Sequence, residues 1–226
     1  LAAGGQGAPI TPLSDWICLR SQAETRVVVN LGGFCNLTIL PQGGGPETVR
    51  GFDVCACNQI LDAIAREAFG TDYDVDGQAA LGGTAIPEVT AALIAALRDQ
   101  RRSGRSLGTG DELNRQVRTF VRSHAGGDVA RSACRAIATT IAEAGGRGRY
   151  CLAGGGASNA ALVLELETLC PVGVCSTTDL GLDATWREAM AMAILGALCQ
   201  DRVPITLPHV TGLDSAAPIA GCWALP

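Results

Sequence analysis

Lysine is absent from all 226 residues, and every one of the 17 basic side chains is an arginine. Within these residues that excludes a P-loop lysine, a Schiff-base lysine and a lysine nucleophile, all of which need a primary amine. Basic charge is also outnumbered. The 22 acidic residues leave a net charge of -5 and a pI near 5.0, so a nucleic-acid partner, whose phosphates demand a basic face, is not expected. No apolar run reaches the roughly 20 residues of a bilayer-crossing helix, so no membrane span is expected. Metal-site spacing is missing too. Cys55-Ala56-Cys57 is too close for a zinc knuckle, and His124 and His209 lie far from it in sequence. The 10 cysteines are a modest fraction for this length. Cys18, Cys134, Cys151, Cys170 and Cys199 sit in apolar or helical runs and read as small buried hydrophobes. A reducing interior, the cytoplasm, is the expected compartment. The opening LAAGGQGAP reads as the interior of a glycine loop, neither a signal peptide nor a natural terminus, so a fragment or a processed chain is expected.

What is present is ample core material, 47% hydrophobic residues, arranged around the stretch from Arg26 to Asp53. Val27, Val28 and Val29 form a β-branched run, Gly32-Gly33 permit a tight reversal, and Leu37 to Leu40 are apolar again: a hairpin. A third short strand, Val49 to Asp53, ends in a carboxylate. Two readings stand side by side. One is an ordinary glycine hairpin with a surface Asp. The other is a phosphate cradle of backbone N–H groups with an acid at a strand end facing a ligand crevice.

Around that hairpin the rest falls into order. Residues 1–15 read as a Gly/Pro-rich loop and residues 1–25 as a lead-in. After Asp53, Ile60, Leu61, Ile64, Ala65 and Ala68 recur at helical spacing, with Asn58 as a candidate N-cap and Gly70 as the stop. The adjacency of strand, acid and helix N-terminus is an arrangement that suits anions. Tyr73-Asp74-Val75-Asp76-Gly77 has the composition of a calcium loop but lacks the remaining ligands, and reads as a turn. A helix is expected from Pro87 to Leu97, then a solvated arginine-rich loop, then helices over 112–123 and 128–144, the last with Val129, Ala133, Ile137 and Ile141 on one stripe. Residues 85–145 as a whole read as a helical insertion. A strand over 150–153 leads through Gly154-Gly155-Gly156 into a helix from Ala157 to Leu169. Three glycines between a strand and a helix dipole can form a flat platform for a nucleotide, and Asn159 is placed to reach a hydroxyl or base. A strand over 172–175, a polar strand end over 176–179, a long helix carrying Glu188 and a loop-like tail complete the chain.

Taken in order, LAAGGQGAPITP, VVVNLGGFCNLTIL, RGFD followed by Asn58 and Asp62, YDVDG, CLAGGGASNAALV, STTDLG with Glu188, and PHVTG resemble the anhydro-N-acetylmuramic acid kinases. The match is weakest between about residues 85 and 145. The resemblance places the chain as a single C-terminal lobe in the sugar kinase, heat-shock ATPase and actin superfamily. It implies an α/β, ribonuclease-H-like fold: a mixed sheet with helices on both faces. It also implies ATP and Mg²⁺ as cofactors, and a small-molecule sugar whose 1,6-anhydro ring is opened and whose O6 is phosphorylated in cell-wall recycling. Asp53 takes the place of the general base. Gly32, Gly33 and Asn36 match the hairpin that faces phosphate, and Gly154, Gly155, Gly156 and Asn159 match the nucleotide platform. Gly5, Gln6, Gly7 and Glu188 fall on the sugar side by position. Family members are dimers, so a homodimer or a subunit of a complex is implied.

Departures from the family pattern bear on activity. The N-terminal lobe, with its glycine, serine and threonine phosphate loop and its acid for Mg²⁺, is not within these residues, so this chain by itself is not expected to turn over substrate. After the base the family has Thr-Gly-Pro-Gly-Asn, whereas this chain has Val54-Cys55-Ala56-Cys57-Asn58. Cysteine side chains there are expected to crowd the ligand and to forbid positive φ. Arg135 stands where the family tends to have a glutamate, a reversed charge on the expected sugar side. The alternative function is a non-catalytic, kinase-like structural or regulatory subunit of a larger assembly.

Overall fold

The computed structural model describes residues 8–102 and 106–213. Five strands form one sheet: β1 (Arg26–Leu31), β2 (Phe34–Leu40), β3 (Arg50–Ala56), β4 (Arg149–Ala153) and β5 (Val174–Ser176). Their spatial order is β3-β2-β1-β4-β5. β1, β2 and β3 are antiparallel neighbours, while β4 runs parallel to β1 and β5 parallel to β4. This mixed sheet is the ribonuclease-H-like arrangement that the resemblance implies. Parallel pairing requires crossovers, and helices supply them.

Alternation along β1 explains how both sheet faces are filled. Val27, Val29 and Leu31 point into the larger core, where they meet Ile60 and Ile64 of α2 (Asn58–Phe69) and Ile137 and Ile141 of α6 (Gly126–Gly145). Val28 points the other way, to Leu19, Leu40, Val49 and Leu182 beneath α1 (Pro12–Leu19). Within residues 1–25, expected as a lead-in loop, Pro12 at the first helical positions opens α1, whose Leu19 closes the smaller core, so that stretch is not all loop. Within the helical insertion expected over 85–145, α6 lies against the sheet itself.

Other boundaries differ for identifiable reasons. α3 (Gln78–Gly82) precedes α4 (Pro87–Arg102), which continues five residues beyond Leu97. Arginine and glutamine are good helix formers, and Arg98 is held by Glu143 of α6 through Nε, 3.0 Å from Oε2. The first five residues of the expected arginine-rich loop, Arg98 to Arg102, are therefore the end of α4. Short α5 (Asn114–Ser123) follows. The helix expected from Ala157 is instead a 3₁₀ turn over Gly155–Ser158 and then α7 (Ala160–Leu169). The polar strand end expected over 176–179 begins at Ser176, the last residue of β5, and continues as a 3₁₀ turn over Thr177–Leu180 closed by a capping box, with Ser176 Oγ accepting from Thr178 N and Asp179 Oδ2 accepting from Ser176 N. Past α8 (Arg187–Gln200), the tail contains one more short helix, α9 (Pro208–Thr211).

A buried ion pair ties the two helices of the α1 side to the sheet. Arg187 Nη2 donates to both carboxylate oxygens of Asp15 at 2.6 Å, and Thr38 Oγ1 donates to Asp15 Oδ2 at 2.7 Å. Asp15 and Arg187 are each 2% exposed. Burial pushes the Asp15 carboxyl above its ordinary range, opposed by Arg187 and the Thr38 hydroxyl. Removing one partner strands the other charge in the interior, a loss of about 3–5 kcal/mol. Asp15→Ala is therefore expected to lower the urea midpoint strongly, and the double variant Asp15→Leu/Arg187→Met to recover most of it. Equal losses in the single and double variants would show that the charge itself is not the issue.

Candidate functional site

The β1–β2 turn at Gly32-Gly33 is the centre of the site, and its carbonyl groups set the geometry. Gly33 O accepts from Cys57 N at 2.9 Å and Gln59 N at 3.2 Å, and Gly32 O accepts from Asn58 N at 3.1 Å. The turn thus occupies the N-terminus of α2, whose donors would otherwise be orphaned. This corrects two expectations. Asn58 is not the N-cap: Cys57 holds that position, without a side-chain bond, and Asn58 Nδ2 donates to Leu31 O at 3.0 Å. Nor is that helix end open to an anion, since its first N–H groups are already bound.

A second glycine turn follows β4 and stacks on the first. Gly154 has φ +82°, and a Cβ on it would lie 2.9 Å from both Asn30 Oδ1 and Leu31 O. A Cβ on Gly156 would lie 2.8 Å from Leu31 Cβ and from Asn58 Oδ1. These two glycines are required by the close approach of the two turns. Gly155 differs: it is exposed, and its Cβ position meets only Asn58 Nδ2, at 3.9 Å. Of the three glycines expected to form a flat platform, Gly155 is the exposed one, with Gly154 and Gly156 packed beside it. Asn159 is likewise committed, since its Oδ1 caps α7 by accepting from Leu162 N at 3.0 Å.

Two clefts open on either side of Gly155 and Ser158, both of which line each cleft. The larger, about 620 Å³, is lined by Asn30, Gly32, Gly33, Gly154, Arg187 and Glu188, among others. Asn30 Nδ2 donates to Glu188 Oε1 at 3.3 Å, joining β1 to the first turn of α8. The smaller, about 420 Å³, is lined by Asn58, Asp62, Tyr73, Val75, Gly156 and Asn159, among others. Burial raises the Asp62 carboxyl, Arg66 opposes this, and Asp72 adds to it. Asp74, from the stretch with calcium-loop composition, instead caps α3, its two oxygens accepting from Ala79 N and Ala80 N at 2.9 and 3.0 Å.

Asp53 lies within β3 rather than at its carboxyl end, as the sequence reading had it, because the strand runs on to Ala56. It faces Asn36 across the β2–β3 ladder, and Asn36 faces Asn30 across β1–β2. Directly opposed residues share a sheet face, so Asn30, Asn36 and Asp53 form one polar row beside the larger cleft. Asn36 and Asp53 do not line either cleft themselves. The Asp53 carboxyl is half-buried, and burial raises it while the N–H of Leu107, 2.9 Å from Oδ2, lowers it. Gly5, Gln6 and Gly7 lie outside the described residues. Asn30 was not singled out from the sequence, yet a lone amide in the run VVVNL is the signal that could have found it.

The cysteines that follow Asp53 line neither cleft. Val54, Cys55, Ala56 and Cys57 are all fully buried in the larger core, and Cys57 has φ -127°. Burial pushes the Cys55 thiol up to about 12. Arg135 lines neither cleft. It donates through Nε to Glu165 Oε2 at 3.1 Å, on the flank between α6 and α7.

A family model described as anhydro-N-acetylmuramic acid kinase matches residues 1–223. The anhydro-N-acetylmuramic acid kinase of Shewanella frigidimarina is 34% identical, over 98% of this chain and 61% of its own length. That of Bordetella pertussis is 36% identical, over 96% of this chain and 59% of its own. The chain therefore spans about three-fifths of the length of these curated relatives. Among solved structures, component A of the (R)-2-hydroxyglutaryl-CoA dehydratase of Acidaminococcus fermentans aligns over 82% of this chain and 64% of that one, at 16% identity and a TM-score of 0.48. With nearly its whole length matched by the family model, the chain belongs to the anhydro-N-acetylmuramic acid kinase family.

Proposed function

We propose that this chain is the larger part of an ATP-dependent sugar kinase that opens the 1,6-anhydro ring of anhydro-N-acetylmuramic acid and phosphorylates O6. The observation that carries this reading is the open saddle at Gly155, with a cleft on each side and the row Asn30, Asn36 and Asp53 beside one of them. A nucleotide fits such a saddle: its nucleoside in the smaller cleft, walled by the exposed Tyr73 and Val75, and its phosphates across Gly155 toward Gly32 and Gly33. ATP supplies the phosphoryl group. Among the described residues no group of three or more His, Cys, Asp or Glu side chains is gathered, so Mg²⁺ would be held mainly by the phosphates of the nucleotide.

The sugar lies along the polar row, from Glu188 and Asn30 at the larger cleft toward Asn36 and Asp53. Asp53 takes a proton from water as that water attacks the anomeric carbon; the bond from that carbon to the anhydro oxygen breaks, and the freed O6 accepts the γ-phosphoryl group. A carboxyl raised by burial sits closer to the working pH, which suits a general base. Asn30 holds Glu188 against β1 and so fixes one wall of the sugar's side.

The part of the relatives' length that this chain does not span is proposed to cover the open side of both clefts. The same part gives a home to the outer face of α8, where Trp186 is 65% exposed beside Met190 and Met192. Homodimer formation and a reducing, cytoplasmic setting accompany the reading. Among the described residues no helix is long and apolar enough to cross a membrane. Burial of Cys55 and Cys57 in the core supports this reading over a non-catalytic subunit on one of that alternative's two grounds, the other being the lobe outside these residues.

In the full-length protein, Asp53→Asn is expected to lower kcat at least about 100-fold while nucleotide-induced thermal stabilisation persists. Retained turnover would take the base role away from Asp53. The two inner glycines separate folding from ligand contact. Gly156→Ala is expected to cost about 1–3 kcal/mol of stability, since its Cβ has no room. Gly155→Val is expected to leave the melting temperature in place and to raise KM for ATP. A KM unchanged by Gly155→Val would move the nucleotide off the saddle.

A further inference from the structure

β3 is an edge strand of the sheet, so alternate N–H groups along it lack a strand to pair with. At Ala56 that donor is taken by a side chain. Gln100 on α4 accepts from Ala56 N through Oε1 at 2.9 Å. The other end of the same amide, Nε2, donates to Asp111 O at 2.6 Å. Gln100 is thus a strut between the sheet edge and the α4–α5 connection.

That connection is folded on itself around Asp111, which is 9% exposed. Asp111 N donates to Gly108 O at 3.1 Å, and Gly108 N donates back to Asp111 Oδ2 at 3.0 Å. One residue earlier, Leu107 N donates to Asp53 Oδ2 at 2.9 Å. Four consecutive links therefore run from the β3 backbone at Ala56 through Gln100, Asp111 and Leu107 and return to β3 at Asp53, three residues before the starting point. The loop closes a ring on the strand that bears the proposed base.

We propose that the Leu107–Asp111 loop is a positioning element for the Asp53 carboxylate, acting through the Leu107 N–H, and that Gln100 is the positioning residue that braces it. The proposal rests on the reading of Asp53 as general base given above and adds to it the groups that orient the carboxylate. A carboxylate whose Oδ2 is held by a backbone donor keeps Oδ1 as the oxygen that meets water. The donor also favours the ionised form, the form a base needs.

The groups around Asp53 come from three elements. From β2 come Asn36, directly opposite, and the Cys35 thiol, which burial keeps neutral and which Asp53 pushes further up. From the loop come the Leu107 N–H and Asp111, whose carboxylate is bound by Gly108 N. From α4 comes Gln100, which carries no charge. Burial and the Leu107 donor, acting in opposite directions, govern the Asp53 carboxyl.

The test uses the full-length protein, labelled with ¹³C at Asp carboxyls, with the Asp53 signal assigned by its loss in Asp53→Asn. Leu107→Pro deletes the donor, and Leu107→Ala keeps it. The Asp53 titration midpoint is expected to rise by about one pH unit in Leu107→Pro and to stay in place in Leu107→Ala. In Gln100→Leu, where the brace is lost but the N–H remains, a smaller rise in the same direction is expected. The acid limb of kcat/KM should move to higher pH with the same order among variants, because protonated Asp53 cannot accept a proton. An unmoved Asp53 titration in folded Leu107→Pro would overturn the proposal; should that variant not fold, the same absence of a shift in Gln100→Leu overturns it. A shifted carboxyl signal with an unmoved acid limb supports the positioning role and overturns Asp53 as the base.

Discussion

The capping of α2 by the Gly32-Gly33 turn is the constraint on which the rest depends. Helix ends leave donors that must be matched, and here the matching acceptors are the carbonyl groups of a hairpin on the other side of a strand. The bonds fix the turn to the helix, and Asn58 Nδ2 fixes the preceding Leu31 carbonyl as well. With that carbonyl held, Gly154 and Gly156 have a surface to pack against, while Gly155 remains exposed. Both clefts then take their common wall from Gly155 and Ser158.

Much of the fold was legible from pattern. The hairpin follows from a β-branched run, a glycine pair and a second apolar run; the stripe Val129, Ala133, Ile137 and Ile141 is buried as its spacing requires. What pattern could not show is which partner a polar group chooses. Asn58 and Asn159 are both amides near a helix start, yet one caps and the other reaches across to Leu31, a choice set by a strand 27 residues away. The end of α4 shows the same. RDQRR is solvated as its composition implies, with Arg98, Asp99, Arg101 and Arg102 exposed, but it continues the helix because Arg98 and Gln100 have partners on α6, β3 and the following loop.

The candidate site shows the same division. Glycine turns and the acid were visible as residue types, while their roles depended on direction. Cys55 and Cys57 replace family glycines and look obstructive in one dimension; in the fold they are ordinary core residues, because β3 turns them toward α2 and α6. The stretch with the weakest family resemblance, between about residues 85 and 145, turns out to supply the donor to Asp53. Backbone N–H groups are available from almost any sequence, so such a contact leaves no residue signature to read.

Gln100 has a further consequence, at the scale of how chains meet. An exposed strand edge is a template on which another chain can add, and the two edges of this sheet are β3 and β5. On β3 the amide of Gln100 stands in for a neighbouring strand at Ala56, and on the other side β5 is only three residues long. A strand adding along β3 would therefore have to displace a side chain at Ala56 as well as water, and along β5 it would find only three residues to pair with.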